Sequence, residues 1–347
     1  MMTYQEVLAN ARTCSGPSCK ACPVCNGRAC GSTMPGPGAK GTGDVAIRNY
    51  EAWQKIRINM NTICENKTPD TSFDFFGKSL RLPVMAGPVG VVKLHYGEKF
   101  TDVEYNNILI PAAAKAGIIA FTGDGTDPGT VRAATASIRD NEGVGVPTIK
   151  PWNIDTLREK FDLVRQSGCF AVAMDVDAAG LPFLKGYNPP AGSKTVDQLR
   201  EVIQSSGKPF IIKGIMTVRG AMDALDAGAS AIVVSNHGGR VQDQTPSTAE
   251  VLEEIADAVA GRMMVLVDGG IRTGVDIFKA LALGADGVLI ARPYVTAVYG
   301  AGEEGVRLLT DKLQDELSST MQMCGVSSLK EITKDCLFAP RSNYVRF

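Results

Sequence analysis

The chain lacks an excess of charge of either sign and lacks any long apolar run. Its 347 residues carry 36 Lys and Arg against 37 Asp and Glu, so the broad basic field of a dedicated nucleic-acid-binding protein is absent. No apolar stretch approaches the roughly 18 residues that cross a bilayer, and the opening MMTYQEVLANARTC lacks the apolar core of a secretory signal. These absences predict a cytoplasmic protein without a nucleic-acid partner or a membrane span.

Two further absences concern the fold. No G-x-G-x-x-G follows the first apolar run, which disfavours an open, doubly wound sheet that binds a dinucleotide. There is no low-complexity tract that could act as a linker, and no repeat beyond a strand–helix unit. With 44% hydrophobic and 21% charged residues the chain can bury a large core, and its length allows one large domain with an appendage.

What is present, after residue 80, is a regular alternation of short apolar runs with segments of helical periodicity. The eight runs are Leu82–Ala86, Ile118–Thr122, Val146–Lys150, Ala171–Val176, Phe210–Lys213, Ala231–Ser235, Met264–Val267 and Gly287–Ala291. This alternation predicts an α/β protein, a closed (β/α)₈ TIM barrel over residues 45–347. Helices are predicted at Thr248–Ala260 and Thr273–Leu283, and a last helix, Glu303–Cys324, is predicted to pack on the barrel wall.

Residues 1–44 differ from the barrel in composition, because Cys, Gly and Pro are frequent there. This composition predicts a cap with little regular structure. Five of the nine cysteines lie here: Cys14, Cys19, Cys22, Cys25 and Cys30. In a cytoplasmic chain such spacing indicates metal or redox chemistry before structural disulfides. Cys19-x₂-Cys22-x₂-Cys25, with Cys14 or Cys30 as a fourth ligand, is compatible with an iron–sulfur cluster. Cys22-Pro-Val-Cys25-Asn-Gly is similar to a zinc knuckle, and unligated or redox-active thiols are the third possibility.

Polar residues at the ends of the apolar runs are the candidate site, since a barrel holds its chemistry at the carboxyl ends of its strands. These residues are Asp175 and Asp177 after the fourth run, Lys213 at the fifth, Asn236 and His237 after the sixth, Asp268 after the seventh and Arg292 after the eighth. All of them are expected to meet on one face of the barrel.

His237 is one of only two histidines and precedes Gly238-Gly239, where backbone can approach a ligand closely. Its predicted role is that of a general base near neutral pH, and the alternative is a histidine hydrogen-bonded inside a loop. Arg240 would hold a carboxylate through two parallel hydrogen bonds, unless it forms only a surface ion pair with Asp243. The other histidine, His95, is interpreted as a loop residue.

The fifth, seventh and eighth runs suggest a bound cofactor. Lys213 would be either a nucleophilic amine or a fixed positive charge facing an electron-rich cofactor, and the sequence leaves both open. The segments DGGIRTG and ARP stand at the usual phosphate position of barrels, where backbone N–H groups and a helix N-terminus neutralise a dianion. Arg272 and Arg292 would supply charge there, and a tight turn without a ligand is the alternative.

Several of these motifs, in this order, resemble the FMN-dependent α-hydroxy-acid oxidases and dehydrogenases, such as glycolate oxidase and lactate oxidase. The motifs are SNHGGRVQDQTP, IIKGIMT, LVDGGIRTGVDIFKALALGADGVLIARP and SSTMQMCGVSSLKEI, and the likeness runs from about residue 45 to the end. The resemblance implies an enzyme that oxidises a 2-hydroxy acid or related carbinol to the keto product, with FMN as the hydride or electron acceptor. It also implies a homotetramer, and it leaves open whether oxygen, a quinone or a protein reoxidises the flavin.

The resemblance implies roles for individual residues as well. His237 would take the substrate proton, Asp177 would stabilise the imidazolium, and Arg240 would bind the substrate carboxylate. Lys213 would stand beside the flavin N1–C2 carbonyl and stabilise the reduced anion. The other implied cofactor contacts are Pro88, Val89 and Gly90 on the ring, Thr122 and Thr148 as polar contacts, Asp268, Gly270, Arg272 and Arg292 at the ribityl phosphate, and Asp175, Ser235, Gly269 and Ala291 as further contacts.

The chain departs from the family's pattern on the substrate side. Lys150 stands where the family usually has a substrate-binding tyrosine after strand three, and is predicted to contact substrate with His237 and Arg240. The usual N-terminal tyrosine has no counterpart in MPGPGAKGTG, and an arginine expected shortly after Asp177 is missing from AAGLPFLKG. Two alternative functions are an FMN reaction without net oxidation, as in type 2 isopentenyl diphosphate isomerases, and a flavin- or metal-binding redox sensor with the cap as its signalling surface.

Overall fold

The structure, a computed structural model, describes residues 2–181, 184, 186–188 and 190–338. Eight parallel strands close into a barrel in which each strand lies beside the next one along the chain and the last lies beside the first. This confirms the predicted (β/α)₈ TIM barrel. The barrel strands are β3 (Val84–Ala86), β4 (Ile119–Thr122), β5 (Val146–Ile149), β6 (Val172–Asp175), β7 (Phe210–Ile215), β8 (Ala231–Val234), β9 (Met264–Val267) and β10 (Gly287–Ile290). Each lies within its predicted apolar run except β7, which is two residues longer.

The helices surround the barrel or belong to the cap. They are α1 (Tyr4–Cys14), α2 (Asp44–Lys55), α3 (Val92–Tyr96), α4 (Asp102–Lys115), α5 (Pro128–Asp140), α6 (Ile154–Gln166), α7 (Val196–Ser206), α8 (Val218–Ala227), α9 (Thr248–Val259), α10 (Gly274–Ala282) and α11 (Arg292–Met323). The helices α9 and α10 lie where predicted. Across the described residues, no helix combines the length and apolar character that crossing a membrane requires.

The last helix is longer than predicted but has a break inside it. Non-helical backbone at Ala301 and Gly302 interrupts α11, so its second part begins where the apolar periodicity begins. That part buries Val306, Leu309, Leu313, Leu317 and Met321, the stripe that predicted packing on the barrel wall.

Alternate residues of the strands divide between the barrel interior and the layer between strands and helices. In β6, Ala173 belongs to the interior cluster, whereas Val172 and Met174 belong to the outer one. A hairpin that was not predicted, β1 (Phe73–Phe75) with β2 (Lys78–Leu80), closes the amino end of the barrel. Its Phe75 is fully buried in the interior cluster and stacks on Phe121. The interior is therefore filled, and ligands are left with the opposite end.

The cap is only partly irregular. Residues 15–43 contain no helix or strand, as predicted, but the expectation of little regular structure is wrong for α1. Thr3 and Glu6 form a reciprocal capping box at its start, and its apolar side buries Val7, Leu8 and Ala11 against α11.

The predicted division of the chain at residues 44 and 45 falls in the first turn of α2, and residues 339–347 of the predicted barrel unit lie outside the described residues.

We expect Gly300→Ala to destabilise the protein, because a Cβ there would lie 2.1 Å from the Val7 carbonyl oxygen and push α1 away from α11. Overpacking of this kind lowers the free energy of unfolding by about 1–3 kcal/mol. The matched control is Gly192→Ala, since nothing lies within 4 Å of a Cβ at Gly192. Urea unfolding monitored by circular dichroism measures both, and equal midpoints for the two variants would contradict the close packing.

Candidate active site

A cleft at the carboxyl ends of the barrel strands, beneath the cap, gathers most of the predicted site. Its lining includes Pro88, Val89, Gly90, Thr148, Lys150, Asp175, Lys213, His237, Arg240, Asp268, Gly269, Gly270, Arg272, Ala291 and Arg292. Thr122 and Ser235 are buried and do not line it. Asp177 reaches it through a hydrogen bond to His237. Most of the predicted residues therefore lie together in one cleft, and these three are set back from it.

A paired histidine and aspartate form the centre of this cleft. Asp177 Oδ1 lies 2.9 Å from His237 Nδ1, and because an ionised carboxylate only accepts, we assign the proton to Nδ1. The lone pair on Nε2 is then available, 4.0 Å from Asp175 Oδ2. The backbone of His237 is left-handed, with φ 55°, and its N–H donates to Ser235 Oγ at 3.1 Å. Gly214 leaves room for the pair, since a Cβ there would lie 2.6 Å from Asp177 Cγ.

The electrostatics favour a neutral imidazole beside an ionised carboxylate. Burial lowers the pKa of His237 below its usual value, and the charge of Asp177 offsets this only in part. Burial would raise the pKa of Asp177, but the neighbouring His237 and two lysines hold it below its usual range. A base whose lone pair is free near neutral pH is the protonation state that general-base catalysis requires.

Lys213 is held as a fixed positive charge. Its Nζ donates to Ser235 Oγ at 2.9 Å and lies 3.2 Å from Asp268 Oδ2. Burial opposes the charge, yet the surrounding carboxylates, Asp268 first, raise the pKa of Lys213 above its usual value. Of the two roles that the sequence left open, this geometry favours the fixed charge, because a nucleophilic amine needs a lowered pKa.

Lys150 points into the cleft but is already paired. Its Nζ lies 2.6 Å from Asp175 Oδ2, and both side chains are less than a tenth exposed. The loop that carries it is fixed by Asp124, whose Oδ2 accepts from the Lys150 backbone N–H at 2.9 Å and from Trp152 Nε1 at 2.7 Å. The sequence analysis missed Asp124, although its position just after the second apolar run, in GDG, carries the same signal as the aspartates it selected.

Arg240 is fixed by the cap and does not pair with Asp243. Its Nη1 donates to the carbonyl oxygens of Gly36 at 2.5 Å and Gly38 at 3.0 Å. Asp243 instead accepts from the backbone N–H of Thr42 at 2.8 Å, so the surface ion pair does not form. Burial lowers the pKa of Arg240 to about 10, which leaves the guanidinium charged at neutral pH.

The interpretation of His95 as a loop residue is wrong. It lies on α3, a helix too short for periodicity to reveal, is buried and lines the cleft. Its Nδ1 is 3.0 Å from the backbone N of Gly36 and its Nε2 is 3.2 Å from Arg240 Nη2; a neutral imidazole accepts at only one of them. Burial, helped by the charge of Arg240, lowers the pKa of His95 to about 4, so the ring is neutral.

The turn after β9 has the form of a phosphate site. Gly269 and Gly270 have φ values of 89° and 81°, and a Cβ at Gly270 would lie 2.0 Å from the Asn49 carbonyl oxygen. Within the described part of the chain, no hydrogen bond uses the backbone N–H of either glycine. Successive amides in such a turn form an anion-binding concavity, and the Arg272 and Arg292 side chains line the same end of the cleft.

One part of the predicted phosphate site is corrected by the structure. The N-terminus of α10 is already capped, because Asp276 Oδ2 accepts from the backbone N–H groups of Arg272 and Thr273. The next amide, that of Gly274, donates to Glu316 Oε2 at 2.9 Å. A phosphate here would therefore depend on the glycine turn and the two arginines rather than on this helix N-terminus.

The ring end of the cleft also fits a flavin. Thr148 Oγ1 is buried, has no hydrogen-bond partner among the described residues and belongs to a residue that lines the cleft. The backbone of Val89 and Gly90 packs so tightly on Gly123 that a Cβ there would lie 2.5 Å from Val89. A stretch of backbone on the cleft wall, a buried hydroxyl without a partner among the described residues and a buried lysine suit an isoalloxazine ring, so the residues present fit FMN.

The cysteines of the cap form no disulfide. Cys19, Cys22, Cys25 and Cys30 line a second cavity, and Cys14 does not. Burial raises the pKa of Cys19 to about 11. Among the described residues, the one group of three with metal-binding distances is Asp175, Asp177 and His237, whose members are already paired with Lys150 and with each other.

These features belong to barrel enzymes that hold a flavin phosphate near their last strands. The model of the family described as FMN-dependent dehydrogenase matches residues 37–187 and 186–339, and the chain belongs to this family. Glycolate oxidase 1 of Oryza sativa subsp. indica is 30% identical, over 86% of this chain and 88% of its own length. The 4-hydroxymandelate oxidase of Amycolatopsis orientalis is 30% identical, over 87% of this chain and 94% of its own.

Local and structural similarities agree with this assignment. A peroxisomal (S)-2-hydroxyacid oxidase of Arabidopsis thaliana, GLO3, is 44% identical, over 41% of this chain and 38% of its own length. A crystal structure of mandelate oxidase with benzoyl-formic acid superposes with a TM-score of 0.78 at 27% identity, over 97% of this chain and 98% of that one. The similarity thus includes the barrel and extends into the cap.

We expect the pKa of His237 to respond in opposite directions to its two neighbours. Asp177→Asn removes the charge that stabilises the imidazolium, so the pKa falls, whereas Lys150→Gln removes a repelling charge, so it rises. NMR titration of histidine-labelled protein measures this directly, since the chain has only two histidines. The wild-type value is expected below 6.5, and His95→Gln assigns the signal.

The control for this titration is Asp197→Asn, because Asp197 is a highly exposed residue of α7 that pairs with Arg200. It should leave the pKa of His237 unchanged. Shifts in the same direction for Asp177→Asn and Lys150→Gln would contradict the arrangement of charges around the imidazole.

Proposed function

We propose that the protein oxidises a 2-hydroxy acid to the 2-keto acid, with His237 as the base and FMN as the acceptor. The observation that carries this proposal is the neutral His237, with Asp177 2.9 Å behind it and its other nitrogen available in the cleft. FMN, held by the glycine turn, the two arginines and the Thr148 end of the cleft, would supply the two-electron acceptor. The family and its 2-hydroxy-acid oxidase members support the same assignment.

His237 would accept the substrate proton at Nε2. The resulting imidazolium lies between the carboxylates of Asp177 and Asp175, at 2.9 and 4.0 Å, so the protonated state is stabilised where it forms. Lys213, kept charged by Asp268, would stabilise the negative charge that reaches the cofactor. Proton and electrons therefore leave the substrate toward two separate groups that are already in place.

Arg240 would bind the substrate carboxylate. Its guanidinium is anchored by two cap carbonyl oxygens through Nη1, and this leaves Nη2 directed at His95 on the cleft wall. A charged group fixed in this way loses little conformational freedom on binding an anion. Because Arg240 and His237 line the same cleft, a carboxylate held by Arg240 would bring the adjacent carbon toward the base.

The substrate side differs from the family's usual pattern, and we propose that Lys150 supplies the contact that a tyrosine would make there. Its pairing with Asp175 at 2.6 Å holds the ammonium group in the cleft, where it would be available to a substrate. The assignment therefore extends to the class of 2-hydroxy acids and not to glycolate or lactate individually. The predicted homotetramer and cytoplasmic location rest on the family resemblance and on the sequence, and relatives named as peroxisomal exist.

Anaerobic titration with a panel of 2-hydroxy acids, followed through the visible spectrum of the bound flavin, tests this function. We expect one acid to bleach the oxidised bands. His237→Gln should keep its flavin and slow the bleaching by about 10²–10⁴-fold, the usual contribution of a general base. Arg240→Met should chiefly raise the concentration of acid required, because it removes a binding contact.

The control is Gln242→Ala, an exposed position two residues beyond Arg240, which should behave as the wild type. Unimpaired bleaching by His237→Gln would contradict the role of the base. A bound flavin that no acid reduces would contradict the oxidation itself and would favour the isomerase-like reaction or the redox sensor.

A further inference from the structure

The proposed function leaves the cap cysteines without a role, although they surround a common space. Cys19, Cys22, Cys25 and Cys30 line a cavity of about 310 Å³ between the cap and the start of α11. These four cysteines lie within twelve consecutive residues, 19–30, of a segment that has no helix or strand.

The structure distinguishes between the two candidates for the fourth position. Cys14 lies outside the cavity, at the end of α1, and its Sγ donates to the Tyr299 carbonyl oxygen at 3.3 Å. Cys30 lines the cavity, and the hydrogen bond that its thiol donates to the Gly27 carbonyl oxygen is long at 3.8 Å. The set of four is therefore Cys19, Cys22, Cys25 and Cys30.

The spacing of the sulfur atoms does not suit a single tetrahedral ion. Zinc–sulfur bonds of 2.3 Å place the ligand sulfurs about 3.8 Å apart. In the described residues no three cysteine sulfurs lie within 4.8 Å of one another. The cavity has room for a multinuclear cluster, and C-x₂-C-x₂-C is the ligand spacing of [4Fe–4S] sites.

The charge around the cavity is complementary to such a cluster. Four cations line it, Lys20, Arg272, Arg292 and Lys312, and no carboxylate does among the described residues. A cluster held by four thiolates is anionic, so these cations would offset its charge. Arg272 also fixes the ligand loop, because its Nε donates to the Cys25 carbonyl oxygen at 2.7 Å.

The cavity adjoins the flavin cleft. Pro37, Tyr96, Arg272 and Arg292 line both spaces, so one layer of side chains separates them, at the end of the cleft where the flavin phosphate would bind. A redox group in the second cavity would therefore lie next to the flavin cleft.

We propose that Cys19, Cys22, Cys25 and Cys30 ligate a [4Fe–4S] cluster that takes electrons from the reduced flavin. The two electrons from each hydroxy acid would leave the flavin one at a time. Each would reduce the cluster by one electron, and a redox protein that accepts single electrons would reoxidise it, while the protons pass to water. The electron transfer rests on the proposed function, whereas the ligation does not.

Anaerobically purified full-length protein tests the ligation through its iron, acid-labile sulfide and zinc contents and through the EPR spectrum after dithionite reduction. We expect about four iron and four sulfide per chain. Serine at any of the four positions, as in Cys25→Ser or Cys30→Ser, should lower the iron content and abolish the signal. The matched controls Cys14→Ser, in the same segment, and Cys64→Ser, at an exposed position, should retain both.

Flavin content and circular dichroism show which variants are folded. If no cysteine variant folds, the iron and sulfide content of the wild-type protein still tests the presence of the cluster. One zinc per chain without iron, or neither metal even after anaerobic reconstitution with iron and sulfide, would overturn the proposal. Loss of the cluster in Cys14→Ser with retention in Cys30→Ser would overturn the ligand set.

The oxidation of a hydroxy acid and the presence of the cluster can be tested independently of each other. Cys25→Ser should still be bleached by the hydroxy acid in a single turnover but should lose at least tenfold in steady-state turnover with a one-electron acceptor. Flavin reduction in a protein without iron would overturn the cluster and leave the oxidation intact. Iron and sulfide in a protein whose flavin no acid reduces would do the reverse, and unchanged turnover in Cys25→Ser would overturn the electron route.

Discussion

Eight parallel strands bring their carboxyl ends to one rim, and the charges of the active site depend on this closure. Three buried lysines at or behind this rim are each paired with a carboxylate from another part of the chain: Lys150 with Asp175, Lys213 with Asp268, and Lys160 of α6 with Asp124. Removing such groups from water is costly, and only mutual pairing offsets the cost. The neutral state of His237 follows from the same crowding, because burial and two lysines outweigh one aspartate.

The cap is part of the active site and not an appendage to it. Its carbonyl oxygens fix three arginines of the barrel: Gly36 and Gly38 hold Arg240, Pro37 holds Arg292, and Cys25 holds Arg272. A segment without helix or strand does this through its backbone, which explains why Gly and Pro are frequent in it. None of these contacts uses the side chains of Cys19, Cys22, Cys25 or Cys30.

The barrel could be predicted from the sequence because parallel strands are buried on both faces and therefore appear as apolar runs. The polar residues after those runs followed from the architecture, and the family resemblance supplied their roles. The missed features depend on contacts distant in sequence. The few apolar residues of α1 matter only against α11, His95 is placed by Gly36 and Arg240, and no local pattern shows that Asp276 and Glu316 occupy the start of α10.

The arginines at the phosphate turn have a thermodynamic consequence. Arg272 and Arg292 each face two ways, toward the cleft and toward a cap carbonyl oxygen. Under the proposed function, cofactor and cap would both bind these two side chains, and linkage requires that their effects on each other be reciprocal. If the cap contacts strengthen cofactor binding by some free energy, cofactor binding strengthens the cap contacts by the same amount. The resistance of the cap to local unfolding would therefore depend on whether the cofactor is bound.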